Sequence, residues 1–473
     1  MRQVGQTRLS PAQIVLLSFL GVITVGTALL SLPAATASGE RMSFVNALFT
    51  ATSGTCVTGL AVVDTATQLS RFGQIVVLTC VQIGGLGLMA FTTMFIVLAE
   101  RRLGIADAVV LQESFHTKAT HNVGKLLKYI VASTFIAEAL GAAALALHWT
   151  VNGRFESFWE TLYHAVFHSV SAFCNAGFAV LPTASPAFQN DTTALLILSL
   201  LIVTGGVGFL VAFEIGQRTR YAVVRWVARR RGMIAVSTHG VKRLSLHSKF
   251  VLISTAALLA IGTVSYYFLE RRGVYAHLSF LDAWVNSWFA SVTARTAGFN
   301  TVDYAQMSGA ALLCTMTLMF IGASPGSTGG GIKTSTFALL VAYSYSRWRG
   351  HGNLRAFGRT VPAESRERAG TVVVVGIAVV LLAASGLMAL ETYHLHPARS
   401  QDLFLPMLFE TISAFGTVGL SLGQTPLLGT PGKLVVCVVM LLGRIGPITV
   451  ALAVSRREQR ERFRYAEENI MVG

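Results

Sequence analysis

The chain has 473 residues, of which 53% are hydrophobic and only 12% charged, with a mean hydropathy of +0.60. A soluble domain carries about 25% charge, so the composition excludes a soluble enzyme or binding module and indicates an integral membrane protein. The formal charge of +15 would suggest nucleic acid in a soluble protein, but its distribution argues otherwise. Of 37 Lys and Arg, 26 lie in five segments: 1–10, 100–128, 216–248, 346–369 and 455–473. This is the positive-inside pattern. It puts both termini and three long loops in the cytoplasm, against anionic lipid headgroups or an acidic cytosolic partner. The five cysteines fall in apolar stretches without CxxC or Cys/His spacing, so they read as buried thiols.

A helical span needs about 20 apolar residues, and eight stretches qualify: 11–33, 70–99, 122–148, 191–215, 249–269, 306–345, 370–393 and 430–454. Ala35-Thr36-Ala37 imitates a signal-peptidase site, but the run from Ile14 to Leu32 exceeds the usual h-region of about 7–15 residues, so the first span is expected to be retained. Ser43 then reads as the N-cap of a half-length helix, 44–53, too short to cross a bilayer and therefore re-entrant. It ends at Thr55-Cys56-Val57-Thr58-Gly59-Leu60, and the chain returns through 70–99.

The pattern recurs. In the second unit a helix at 157–172 leads to Cys174-Asn175-Ala176-Gly177-Phe178. In the third, 279–292 leads to Arg295-Thr296-Ala297-Gly298-Phe299. In the fourth, 402–413 leads to Gly416-Thr417-Val418-Gly419-Leu420. The four glycines stand 118, 121 and 121 residues apart. The expected fold is all-α and integral to the membrane, with four tandem helix–pore loop–helix repeats in a pseudo-fourfold arrangement: eight spans and four re-entrant pore helices. The repeats are 1–99, 100–215, 216–345 and 346–455, and a cytoplasmic tail follows at 456–473. Glu160, Asp282 and Asp402 fall near the pore-helix starts. There they complement the helix dipole or form an outer ring that attracts cations.

Glycine at each strip permits backbone turns closed to other residues, so that carbonyls can converge on one axis and replace a cation's hydration shell. No acid–base pair, nucleophile or metal cluster stands out. His164 and His168 are four apart on a pore-type helix and read as packing residues or a zinc pair. The expected chemistry is dehydration and passage of a monovalent cation, not enzymatic turnover, with no cofactor.

These motifs, in combination and across nearly the whole chain, resemble the Trk/Ktr/HKT superfamily of potassium-translocating subunits. The resemblance maps the filter glycines onto Gly59, Gly177, Gly298 and Gly419. It makes the carbonyls of Val57, Thr58, Asn175, Ala176, Thr296, Ala297, Thr417 and Val418 the ion ligands. Gly59, where some plant relatives carry serine and favour sodium, implies potassium. The first repeat begins by about residue 11, which is more similar to the Ktr type. That type implies a homodimer of two pores resting on a cytosolic ring of nucleotide-binding Ktr-type regulatory subunits, in a bacterial plasma membrane, with Na⁺ activation possible and no nucleic acid. The chain has no GxGxxG after a strand, so nucleotide sensing falls to another polypeptide.

One stretch, Gly322-Ala323-Ser324-Pro325-Gly326-Ser327-Thr328-Gly329-Gly330-Gly331-Ile332-Lys333, breaks the longest apolar segment into two half-helices joined by a flexible polar loop. In the family this loop lies under the filter as a gate. Arg444 occupies, in the fourth repeat, the register of Gly84-Gly85 and Gly205-Gly206; the resemblance sets it in the cavity beside the loop. Lys333 either snorkels to the cytoplasmic side or contacts the gate. Arg295 is expected to brace the filter from behind through a carboxylate such as Glu160 or Glu410. The rival class is a Na⁺- or H⁺-coupled K⁺ symporter, which usually has broken helices in both halves; a single break, between parallel repeats, favours a channel-like subunit.

Overall fold

The computed structural model describes residues 11–102, 123–181, 186–230, 244–351, 354–393, 397–446 and 449. Residues 1–10, 103–122 and 231–243 and the tail at 456–473 lie outside them.

In chain order the main helices are α1 (Pro11–Leu30), α2 (Phe44–Thr55), α3 (Arg71–Arg102), α4 (Val123–Val151), α5 (Phe158–Phe173), α6 (Thr192–Val207) and α7 (Phe209–Arg230). They continue as α8 (Leu246–Glu270), α9 (Phe280–Thr293), α10 (Gly309–Phe320), α11 (Thr334–Trp348), α12 (Ala363–Thr392), α13 (Phe404–Gly416) and α14 (Thr430–Ile445). A two-residue hairpin, Arg355–Ala356 with Arg359–Thr360, is the one sheet among the described residues. Ala12–Leu30, Leu127–Val151, Leu246–Glu270 and Ala363–Thr392 are each long and apolar enough to cross a membrane.

Short helices alternate with these long ones for local reasons. Ser43, Ser157 and Ser279 cap α2, α5 and α9, their hydroxyls accepting from the N–H of Asn46, Trp159 and Asp282 at 3.3, 3.3 and 3.1 Å. Capping satisfies an orphan N–H of the first turn. The fourth of the set departs from expectation: α13 starts at Phe404 with no side-chain cap, and Asp402 closes a separate short helix, Pro397–Asp402. At the other end of three short helices, a glycine from the following long helix packs on a terminal carbonyl. A Cβ on Gly84, Gly205 or Gly443 would collide with the carbonyl oxygen of Thr55, Phe173 or Phe415.

The expected single span 191–215 is broken. Its two halves, Thr192–Val207 and Phe209–Ala228, bend by 105° at Gly208, whose φ of +91° only glycine adopts readily. The apolar run continues through the bend, so hydropathy gives no sign of it.

Carboxylates tie neighbouring helices at their ends. Glu270, at the end of α8, accepts from the N–H and hydroxyl of Ser308, the N-cap of α10, at 2.8 and 2.7 Å. Glu391 of α12 likewise accepts from Gly429 N, before α14, at 3.0 Å. Hydrogen bonds to a charged group are worth about 1.5–3 kcal/mol each. Glu270→Ala is therefore expected to lower the unfolding midpoint of the detergent-purified protein by several degrees, and an unshifted thermal scan would show the cap to be dispensable.

Candidate functional site

The four short helices deliver four strips with one backbone geometry. Val57, Asn175, Thr296 and Thr417 have φ of +55°, +60°, +72° and +49°, and Gly59, Gly177, Gly298 and Gly419 have φ of +87°, +69°, +76° and +94°. The residue between each pair has ordinary handedness. Alternating hand along three residues turns consecutive carbonyls toward the same side. Left-handed backbone costs a non-glycine residue about 1–3 kcal/mol, and three of these four are β-branched. Backbone bonds hold them: Thr58, Ala176, Ala297 and Val418 donate to the carbonyls of Ser53, Ser171, Thr293 and Ser413 at 2.8, 2.8, 3.0 and 2.9 Å.

The strips close into a ring. A Cβ on Gly177 would lie 2.8 Å from the carbonyl oxygen of Ala297. Cβ atoms on Gly59, Gly298 and Gly419 would collide with the carbonyl oxygens of Ala176, Val418 and Thr58. Each glycine thus faces the carbonyl of the next strip in chain order, and the fourth returns to the first. Glycine is required twice over, for its φ and for this approach, and the second reason was not legible in the sequence. The two residues before the glycine are buried in all four strips, while Gly59, Gly177 and Gly419 are half-buried. Asn175 and Thr296 also meet through their side chains, at 3.2 Å in either orientation of the amide.

Directly beneath lies the Gly322–Lys333 loop. It is pinned on every side, not slack. Gly330 N donates to Thr417 Oγ1 at 3.0 Å, and a Cβ on Gly329 would strike Thr296 Oγ1. Thr328 Oγ1 donates to Phe173 O at 3.2 Å. Ser324 N and Thr328 N donate to the carbonyls of Gly206 and Gly205, which the α6 break leaves free, at 3.1 and 3.3 Å; Phe209 N returns a bond to Gly326 O at 3.1 Å. Gly331 N donates to Gly443 O at 3.2 Å. Pro325 and Gly326 border a cavity of about 230 Å³ below the loop, together with Ile332, Lys333, Phe415 and Arg444.

The three membrane-depth cations are distributed as follows. Arg444, 1% exposed, donates to Thr328 O of the loop and, at 2.9 Å, to Gly84 O of α3. Lys333 does not snorkel: its Nζ donates to Gly329 O at 2.7 Å. Arg295 lies behind the third strip, but its partners are carbonyls, Thr255 O at 3.5 Å and Gly322 O at 3.4 Å, not carboxylates. Glu410 is engaged elsewhere, accepting from Ser421 Oγ and Thr425 Oγ1 at 2.6 Å each, and Glu160 is on the first turn of α5. His164 stacks on Phe155 at 4.6 Å and its carbonyl pairs with His168 Nδ1 at 2.8 Å. These are packing contacts, and among the described residues no group of three or more His, Cys, Asp or Glu could hold a metal ion.

A ring of backbone carbonyls closed among apolar helices suits a membrane protein that passes cations. The chain belongs to the TrkH family of cation transport proteins, whose family model matches residues 8–465. It is 37% identical to the potassium/sodium uptake protein NtpJ of Enterococcus hirae, over 100% of this chain and 99% of that one. It is 35% identical to the Ktr system potassium uptake protein B of Bacillus subtilis, over 98% and 97%. In fold it is similar to the crystal structure of the potassium transporter TrkH from Vibrio parahaemolyticus, with a TM-score of 0.70 at 16% identity, covering 96% of this chain and 87% of that one.

Proposed function

We propose that the chain is the potassium-translocating pore subunit of a gated K⁺ uptake system. Four span–pore helix–span repeats make eight spans around one pore, with K⁺ coordinated by Val57–Gly59, Asn175–Gly177, Thr296–Gly298 and Thr417–Gly419. The observation that carries this reading is the closed ring in which each strip glycine faces the next strip's carbonyl. Such carbonyls substitute for the hydration shell of a dehydrating cation. The loop, with Gly322, Ser324, Pro325, Gly326, Gly329, Gly330, Gly331 and Lys333, is the gate, and Arg444 is its clasp. The relatives' names, which specify potassium/sodium uptake and potassium uptake in a Ktr system, support the transported ion and an assembly with regulatory subunits. The bacterial plasma-membrane location, the homodimer and the cytosolic ring of nucleotide-binding subunits rest on the resemblance of the motifs to the Ktr type.

The test is rubidium uptake into proteoliposomes of the purified chain, with K⁺ and Na⁺ as competitors. Block by K⁺ at concentrations where Na⁺ is weak is expected; equal competition would discard the selectivity and keep the pore.

A second reading, Na⁺- or H⁺-coupled symport, gains from one observation. The 105° break at Gly208 means that the helix at the gate is not the only interrupted one, so the argument from a single break no longer separates the classes. Stoichiometric ²²Na⁺ entry with rubidium would select it.

A further inference from the structure

Behind the second strip, at mid-membrane depth, stands a carboxylate that the function above does not use. Glu138 lies near the centre of the apolar span Leu127–Val151 and is 4% exposed. Ionisable side chains at such depth are costly and mark function or a specific partner. Its partners are specific. Gln82 of α3 donates through Nε2 to Oε2 at 3.3 Å, and the thiol of Cys174 faces Oε1 at 3.7 Å. Cys174 is the C-cap of α5 and directly precedes the left-handed Asn175. The surroundings are shaped to this contact. Ser169 Oγ donates to the main-chain oxygen of Glu138 at 2.7 Å. A Cβ on Gly141 would lie 2.6 Å from that hydroxyl, and one on Gly85 would lie 2.9 Å from Cys174 Sγ. Three helices, α3, α4 and α5, therefore meet at one sulfur at the foot of one strip.

The equivalent position of the other strips is Cys56, Arg295 or Gly416. Arg295 braces the third strip with a cation that donates to carbonyls. The second is the one strip, among the described residues, with a carboxylate on this position. The ring is fourfold in its carbonyls and asymmetric in what holds them.

We infer that Glu138 is a specificity-determining positioning residue: acting through Cys174, it fixes the foot of the second strip and so the ring width on which K⁺ over Na⁺ discrimination depends. The inference rests on reading the strips as a potassium filter. Loss of the thiol donor frees Asn175 to relax out of its strained conformation. Loss of the carboxylate leaves the thiol one acceptor, Gln82 Oε1, also at 3.7 Å.

The experiment is the rubidium competition assay on the full chain, comparing Cys174→Ala, Cys174→Ser, Glu138→Ala and the double variant, with Gly59→Ser in the same series. Cys174→Ala is expected to lower the K⁺/Na⁺ preference by about three- to tenfold, the worth of roughly one hydrogen bond. Cys174→Ser, which keeps a donor, retains most of the preference. Glu138→Ala, which leaves the thiol Gln82 Oε1 as its acceptor, lowers the preference by a smaller factor, and the double variant falls no further than Cys174→Ala, because the two act in series. An unchanged preference in Cys174→Ala, or losses that multiply in the double variant, overturns the inference. Should Glu138→Ala fail to fold, the alanine–serine contrast at Cys174 decides alone. Should Gly59→Ser leave the preference unmoved, the filter reading itself has failed; should it shift the preference while Cys174→Ala does not, only the role of Glu138 falls.

Discussion

Gly59→Ser is expected to reduce the K⁺/Na⁺ preference by about tenfold or more. A side chain at φ +87° carries a left-handed penalty of about 1–2 kcal/mol, and about 1.4 kcal/mol is a factor of ten. The serine Cβ would also collide with Ala176 O, so the first and second strips must part. A wider ring fits K⁺ less well and leaves room for partly hydrated Na⁺. The informative control is Gly153→Ala, where φ is +60° and nothing lies within 4 Å of a Cβ. It bears the backbone penalty without the collision, and its competition curve is expected to match the parent chain. If Gly59→Ser and the parent compete identically, the strip is not the filter.

Arg444→Ala is expected to raise the maximum uptake rate at least about fivefold while leaving the K⁺/Na⁺ preference intact. The guanidinium joins the loop, through Thr328 O, to α3, through Gly84 O. Two charge-assisted bonds of about 1.5–3 kcal/mol each hold the loop against α3 and vanish together. Removing the cation also lowers the electrostatic barrier to a permeating cation. Deleting 324–330 is the stronger version. Its ends are already adjacent: Ala323 N donates to Gly330 O at 3.3 Å and Thr334 N to Ala323 O at 3.2 Å, so closure needs little backbone movement. Higher, less regulated flux is expected. Lower flux from monodisperse protein in either variant would refute the gate.

What could be read from the sequence was whatever leaves a local mark. Ser43, Ser157 and Ser279 are good N-caps in any context, so three short helices were placed within two residues of their observed ends. The strip glycines were legible because four copies recur in register. What escaped depends on long-range partners. The fold at Gly208 leaves the hydropathy of 191–215 unbroken, because the bend is stabilised by Gly326 and Pro325 over 100 residues away. Arg295 was assigned a carboxylate by charge pairing alone. In the structure, the carbonyl oxygens of Thr255, inside α8, and of Gly322, in the loop, serve instead, a supply that no count of acidic residues reveals. Glu138 and Gln82 went unremarked because lone polar residues 56 positions apart carry no periodic signal; only the packing of α3 on α4 brings them together.

The seam between the last repeat and the first bears on how the protein is made. Gly419 faces Thr58, Lys433 Nζ donates to Asn46 Oδ1 at 3.0 Å, and Arg444 reaches Gly84. A nascent chain emerging from the ribosome has already released α1 to α12 before any of these partners exists. Until residue 444 enters the bilayer, the carbonyls of the first strip face an open flank that only lipid or a chaperone can cover. Truncation before α13 therefore removes the partners of Thr58, Asn46 and Gly84 together and leaves the ring open on that side, and quality control during biogenesis has one late event to inspect: the arrival of α13 and α14.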